Sequence, residues 1–280
     1  MPPVTLSSLH VYPIKSCGGI DLQQAQVEDY GLAYDRNWVV VDESGKFVTQ
    51  RQCPRMALIQ PRLVYGVLRL QAPGMLLLEI PLDADYSAQE TSLVSVWHDL
   101  IPAWDEGDLV AYWFSQFLGQ SVRLMRFAAP HQRRCDPQWT GADLAHTRFA
   151  DGYPILLTNT ASLDELNARM HAKGSPSLPM NRFRPNIVVS GLAAFEEDFL
   201  ESLTLDSLHL RAVKPCARCS VPSVDQTSGI STGPEPTATL SEFRQDERVQ
   251  GVTFGQNLIV TGGVGASLQV GARLDVKLNF

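Results

Sequence analysis

No run of the 280-residue sequence approaches the ~20 apolar residues of a membrane helix. Met1 to Ser16 also lacks the basic-then-apolar order of a cleaved secretory signal. Cysteine is scarce. Five residues, an odd number with one close pair, do not make a disulfide scaffold; they fit a reducing, cytoplasmic compartment in which thiols do chemistry or sit in the core. Positive charge is in the minority, with 23 Lys and Arg against 30 Asp and Glu for a net −7. That balance argues against nucleic acid and against anionic membrane surfaces as partners. There is no P-loop and no Gly-x-Gly-x-x-Gly after a strand, so nucleotides lack their backbone cradle. The six histidines form no metal-ligand spacing, and the acidic residues show no paired motif. Low-complexity tracts and solenoid repeats are absent as well.

What remains is a chain with 44% hydrophobic residues, enough for a large core. At 280 residues it has room for two domains. The first hundred residues read as β: Val4 to Tyr12, Trp38 to Asp42, Leu63 to Leu70, Met75 to Ile80 and Ser92 to Trp97, with turns at 43–46 and at Pro73-Gly74. Short strands at this spacing point to a barrel or sandwich rather than a parallel βαβ sheet. Val110, Trp113, Phe114, Phe117 and Leu118 fall on one helical face, with Asp108 expected as the start cap and Gly119 as the stop. Val122 to Phe127 reads as a strand, and the polar stretch Ala128 to Asp151 as a junction or active-site loop. In the second half, Ser162-Leu163-Asp164-Glu165 has the capping-box pattern of a helix running toward Gly174. Asn186 to Ser190, a hairpin over Leu203 to Val213, a short helix over Thr237 to Arg244, and strands at Leu258 to Thr261 and Leu268 to Leu278 complete the reading.

Two features carry chemistry. The first is Lys214-Pro215-Cys216-Ala217-Arg218-Cys219. A structural zinc site wants a second close pair of ligands, and Cys17, Cys53 and Cys135 are scattered singly. A thioredoxin-type pair should open a helix, which Pro222 and the β-branched residues here oppose. Two ordinary packed thiols remain an open reading. So does one thiolate serving as a single soft ligand to a metal carried by a cofactor, with Lys214 and Arg218 supplying neighbouring positive charge. The second feature is four segments with Lys or Arg beside small polar residues: Lys15-Ser16, Asp35-Arg36, Thr49-Gln50-Arg51-Gln52 with Arg55, and Asn181-Arg182-Phe183-Arg184-Pro185-Asn186. A single arginine is most often a solvated surface charge. Four such segments at turns and strand ends are the donor set that holds a phosphate or a polar heterocycle.

Taken in order, Tyr12-Pro13-Ile14-Lys15-Ser16-Cys17, Asp35-Arg36-Asn37-Trp38, Val48-Thr49-Gln50-Arg51-Gln52, Asp151-Gly152-Tyr153-Pro154, Asn181 to Asn186, Cys216 to Cys219 with Val224-Asp225, and Phe254-Gly255-Gln256-Asn257 make the sequence recognisable. It resembles the MOSC-domain molybdenum enzymes, the group containing the mitochondrial amidoxime-reducing component and its bacterial YcbX-like relatives. The resemblance implies a mainly β fold with some α: a MOSC N-terminal β-barrel domain over residues 1–125, packed on a mixed β-barrel MOSC domain over residues 126–280. It implies a molybdenum cofactor (molybdopterin) between them. Cys219 would be the protein ligand to molybdenum and thus catalytic. Lys15, Ser16, Arg36 and Arg184 would hold the phosphate and pterin; Asp151, Gly152 and Tyr153 would line the site; Arg51, Asn181 and Asn186 would complete the pocket. Asp225 is a candidate for proton delivery or for orienting the site, with a turn-forming role through its side chain as the alternative. Cys216 has no derived role.

The implied activity is two-electron reduction of small N-hydroxylated compounds (amidoximes, hydroxylamines, N-hydroxylated base analogues) to the amine form, a detoxifying reaction. No set of four cluster cysteines follows the MOSC motifs, so no iron–sulfur cluster is expected in this chain. Electrons are expected from a separate protein: a ferredoxin, a flavodoxin, or a cytochrome with its reductase. The alternative function is a cofactor- or sulfur-carrying module that holds a persulfide and has no turnover of its own.

Overall fold

The computed structural model describes residues 3–280. It is mostly β, 40% strand and 18% helix, with a closed seven-stranded mixed barrel and a half-barrel. The barrel runs through Ile155–Asn159, Ile187–Ser190, Val4–Val11, Arg273–Leu278, Leu200–Leu205, Leu208–Ala217 and Gly251–Gly262. It closes where Ile155–Asn159 pairs antiparallel with Gly251–Gly262, Ile155 opposite Leu258. The parallel pair is Ile155–Asn159 with Ile187–Ser190, linked by the helix Thr160–Ala172. The chain's first strand therefore belongs to the barrel built mainly by its second half, flanked there by Ile187–Ser190 and Arg273–Leu278. Alternation interrupted by one irregularity explains its place. Val4 and Leu6, then Leu9 and Val11 after the register shift between Leu6 and Ser8, join a core shared with Ile155, Leu157, Leu203, Leu210 and Leu258.

The half-barrel is four-stranded, Trp38–Asp42, Val122–Phe127, Asp99–Asp105 and Ser92–Val96 in spatial order. The helix Asp108–Leu118 covers one face and buries Val110, Trp113, Phe114, Phe117 and Leu118, the five residues of its expected apolar stripe. Gly119 closes it in the left-handed conformation, φ 70°. Its start differs from expectation. Gly107 is the cap, and Asp108 is the first helical residue, its carboxylate 2.8 Å from Arg123.

Three further local expectations are corrected. The helix from Thr160 begins two residues before the capping-box serine. Asn159 accepts from the backbone N–H of Ala161, and Ser162 turns inward to donate to the buried Glu197 at 2.7 Å. A buried carboxylate needs donors, and that requirement overrides the local box. Leu63 to Leu70 is a hairpin, Gln60–Val64 and Val67–Gln71, rather than one strand. Tyr65 and Gly66 make the turn with φ of 50° and 77°, and a tyrosine in that conformation gives no sequence cue. Leu268 to Leu278 is likewise divided, into Ser267–Gln269 and Arg273–Leu278.

Candidate functional site: a cationic cleft walled by two thiols

A cleft of about 410 Å³ opens where the half-barrel meets the closed barrel. Lys15, Ser16, Arg36, Thr49, Arg51 and Trp97 line one side. Asp151, Gly152, Tyr153, Arg184, Asn186, Lys214, Cys216, Arg218 and Cys219 are among those lining the other. Lys15, Arg36, Arg51, Arg184, Lys214 and Arg218 converge on this space, and Asp151 is the one carboxylate among the lining residues. A chain of net charge −7 thus gathers six of its 23 Lys and Arg at one place.

The arginines are held by their neighbours. Arg36 and Arg184 both rest against the buried Tyr12 ring, their guanidinium carbons 4.4 and 4.2 Å from its centroid. Arg36 also pairs with both oxygens of the buried Asp35, at 2.7 and 2.5 Å, and Arg184 donates to the Cys17 carbonyl at 2.6 Å. Burial pushes the Tyr12 hydroxyl up to about 12 in spite of the two cations, so the ring stays neutral. Burial, reinforced by the nearby Arg36 charge, lowers Arg184 to about 10. Four lining residues that are not glycine have left-handed backbones: Ser16 (φ 68°), Arg36 (φ 48°), Trp97 (φ 57°) and Arg184 (φ 55°). Such conformations cost about 1–3 kcal/mol each and persist where the surrounding structure over-determines them, here around one cleft.

Asp151 lines the cleft with most of its side chain open to solvent. Its carboxylate accepts from Lys15 Nζ at 2.7 Å and from Trp97 Nε1 at 3.0 Å. The surrounding protein disfavours its charge although solvent still reaches it. The Lys15 ammonium and these hydrogen bonds override that and hold it well below the usual carboxylate range. For Lys15 the balance goes the other way: burial lowers it, with Asp151 opposing. The loop carrying Asp151 is clamped from behind by the buried Arg133. Its guanidinium donates to the carbonyls of Arg148 (2.8 Å), Ala150 (2.5 Å) and Asp151 (3.2 Å) and to the Asp99 carboxylate (2.7 Å). Lys15 Nζ takes the Phe149 carbonyl at 2.8 Å. The end of the polar Ala128 to Asp151 stretch is thus an ordered wall, with the carbonyls of Arg148, Phe149, Ala150 and Asp151 each met by a buried cation.

The thiol wall is the end of the strand Leu208–Ala217. Its register with Gly251–Gly262 slips between Ala212 and Lys214 and again between Pro215 and Ala217. These bulges accommodate Pro215 and re-aim the side chains of Lys214 and Cys216 into the cleft. Arg218 donates to Cys216 Sγ at 3.0 Å and to the Phe183 carbonyl at 2.8 Å. Cys219 is exposed at the cleft surface; Cys17 and Cys135 are buried, and burial pushes both of their thiols up to about 12. The Phe254-Gly255 motif braces this wall. Phe254 stacks on Phe183 with ring centroids 3.9 Å apart. Gly255 (φ 82°) passes so close to the next strand that a Cβ would lie 2.5 Å from the Leu157 carbonyl oxygen.

Most of the expected site residues therefore share one cleft. Asn186 lines it, but its side chain also knits the barrel seam, accepting from Leu156 N–H and donating to the His10 carbonyl. Two residues lie elsewhere. Asn181 lines a separate cleft with His10, Tyr12 and Asp21. Asp225 is not among the lining residues; it accepts from the N–H groups of Ser228 and Thr227 and pairs with the buried Arg182 at 2.9 Å, closing the turn after the thiols. The Ser228 and Thr227 hydrogen bonds hold it below the usual range. Trp97 and Arg133 escaped the sequence reading. Trp97 is the tip of a hairpin with a left-handed backbone (φ 57°), and Arg133 acts on backbone carbonyls that leave no pattern in a sequence.

A closed barrel joined to a half-barrel, with a cationic cleft at their junction and a Cys-x-x-Cys pair on its wall, defines a class of β-barrel protein with positive charge gathered beside a soft ligand. The chain belongs to the MOSC family. The MOSC N-terminal beta barrel domain matches residues 3–121, and the MOSC domain matches residues 145–275. The chain is 36% identical over 251 residues to mitochondrial amidoxime reducing component 2 of Rattus norvegicus, covering 86% of this chain and 72% of that protein. It is 34% identical over 261 residues to mitochondrial amidoxime-reducing component 1 of Mus musculus, covering 90% and 75%. Human molybdenum cofactor sulfurase is 30% identical over 272 residues, 92% of this chain but 30% of that protein. Among the described residues no helix is long and apolar enough to cross a membrane.

Proposed function

We propose that the protein is a molybdenum-cofactor-dependent reductase of small N-hydroxylated compounds, fed with electrons by a separate donor protein. The observation that carries the reading is the single cleft that brings Cys216 and Cys219 together with six cationic side chains. The donor set fits a pterin phosphate joined to a soft metal. Lys15, Arg36 and Arg184 can meet the anion, the exposed thiol of Cys219 can meet the metal, and Arg218 Nε is buried with no partner of its own among the described residues. In this reading Lys15, Ser16, Arg36 and Arg184 hold the phosphate and pterin, and Cys219 is the metal ligand.

When bound, the cofactor supplies the two-electron chemistry that cleaves an N–O bond, in the balance RNH–OH + 2 e⁻ + 2 H⁺ → RNH₂ + H₂O. The chain's own residues do the rest. The Tyr12 stack and Asp35 fix the arginine heads, so little reorganisation is needed when an anion arrives. Arg133 and Lys15 fix the loop of Asp151, and the hydrogen bonds from Lys15 and Trp97 to Asp151 tie the two sides of the cleft together. Arg182 and Asp225 hold the turn that follows Cys219.

The test is metal analysis and turnover on protein made in a host with an intact molybdenum-cofactor pathway. About one molybdenum per chain and reduction of benzamidoxime by a chemically reduced viologen are expected. Cys219→Ser is expected to lose both. A wild-type protein without molybdenum, or a Cys219→Ser variant with full metal and full activity, would overturn the reading. The likeness to molybdenum cofactor sulfurase favours a second reading, a sulfur carrier. It predicts an intact mass heavier by one sulfur atom, lost in the Cys219→Ser or Cys216→Ser variant, and no turnover.

A further inference from the structure

Five of the six cleft cations already have an acceptor inside the protein. Lys15 has Asp151, Arg36 has Asp35, Arg184 has the Cys17 carbonyl, Arg218 has Cys216 and the Phe183 carbonyl, and Arg51 bonds Thr49 at the longer distance of 3.4 Å. Lys214 is different. Its ammonium has neither a hydrogen-bond acceptor nor an acidic partner among the described residues, and it rests against two rings, 4.9 Å from the centroid of Trp139 and 5.8 Å from that of Tyr153. Its backbone is fixed, since Asn257 Nδ2 donates to its carbonyl at 3.2 Å, and it stands at a bulge two residues before Cys216 and on the same strand. A half-buried ammonium with no counter-charge of its own is free to receive an anionic partner, and the cations around it strengthen that pull. Its place beside the thiols puts it where a substrate comes to the reacting centre.

We propose that Lys214 is a specificity-determining residue that receives an anionic group, a carboxylate or a phosphate, on the N-hydroxylated substrate. This rests on the reductase reading. The substrates it favours are planar N-hydroxylated compounds bearing an acid at the far end: the rings of Trp139 and Tyr153 flank the ammonium with flat apolar surface, and the charge selects the acid. Arg51 on the facing side adds to the same positive field.

The test uses full-length, molybdenum-loaded protein and two substrates, benzamidoxime and 4-carboxybenzamidoxime. The wild type is expected to favour the carboxylated substrate roughly tenfold in kcat/KM, mostly through KM, with the preference shrinking at high salt. Lys214→Met should bring the ratio of the two substrates close to one, and Lys214→Arg should largely retain it, both with unchanged molybdenum content. Calorimetric titration with benzoate is the second readout, and its affinity should fall roughly tenfold in Lys214→Met. If benzamidoxime is reduced but the wild type shows no preference, the proposal fails while the reductase reading stands. If neither substrate is reduced, the reductase reading fails, and benzoate binding that is absent or unmoved by Lys214→Met takes the proposal with it. Loss of molybdenum from Lys214→Met would also overturn it, because the lysine would then serve the cofactor.

Discussion

Replacing Arg133 with methionine removes the clamp behind the Asp151 loop while keeping an apolar stem of similar length. The guanidinium that is lost donates to three backbone carbonyls and to Asp99, and it is buried, with 6% of its side chain exposed. A buried carbonyl left without its donor costs about 1–3 kcal/mol, and water can reach part of this loop, so the low end applies to each. Three such groups give a destabilisation of about 3–5 kcal/mol. For a chain of this size 1 kcal/mol moves Tm by about 2–4 °C, so the expected drop is about 6–20 °C by calorimetry or circular dichroism. Arg133→Lys presents one point charge in place of a planar fork and should recover less than half of the loss. The Asp99 contact, half-exposed on the acid's side, adds little. A drop of less than about 2 °C for Arg133→Met would refute the accounting, since it would mean that the three carbonyls find equal partners without the guanidinium.

Two further outcomes follow from single atoms. Glu197 is fully buried, and burial pushes its carboxyl up to about 6 from 4.5, with Ser162 and Asn159 opposing the shift and the neighbouring Asp198 adding to it. Between those values the folded protein binds the proton more tightly than the unfolded chain. Stability is therefore expected to fall as pH rises from about 4.5 through about 6, by about 2 kcal/mol from this group. Glu197→Gln should remove that slope, and denaturant unfolding at pH 5 and pH 7.5 in both proteins checks it; an unchanged slope would refute the assignment. Gly255→Ala forces a Cβ to 2.5 Å from the Leu157 carbonyl oxygen at a φ of 82°, which should cost about 2–4 kcal/mol. A midpoint within experimental error of wild type in urea would show that the two strands separate easily there.

The fold was legible in the sequence wherever a short-range rule had no competitor. Val110 to Leu118 alternate at helical spacing and bury the expected side chains. The strand Val122–Phe127 and the turn at Pro73-Gly74 fall where pattern and turn chemistry place them. The rules failed where a distant group competed. Ser162 left its expected cap role for Glu197, thirty-five residues away, because a buried carboxylate outweighs a helix end that Asn159 can cap. At the site, four basic segments and a thiol pair were visible as residue types, while the separation of Asn181 into another cleft was not, because consecutive residues of one short turn face different ways.

The sequence by itself determined the ingredients. An acidic chain with clustered exceptions, one Cys-x-x-Cys and short alternating strands follow from composition and periodicity, which are local properties. The tertiary structure decided which of those charges have partners. Lys15 meets Asp151 across 136 residues and Arg184 meets Cys17 across 167, and only the closing of the barrel brings such groups within hydrogen-bond reach. The same closing leaves Lys214 with two rings and, among the described residues, no acid. Charge can be counted along a chain, but neutralisation depends on distances of a few ångströms between segments far apart in sequence, so only the fold fixes which cation remains free.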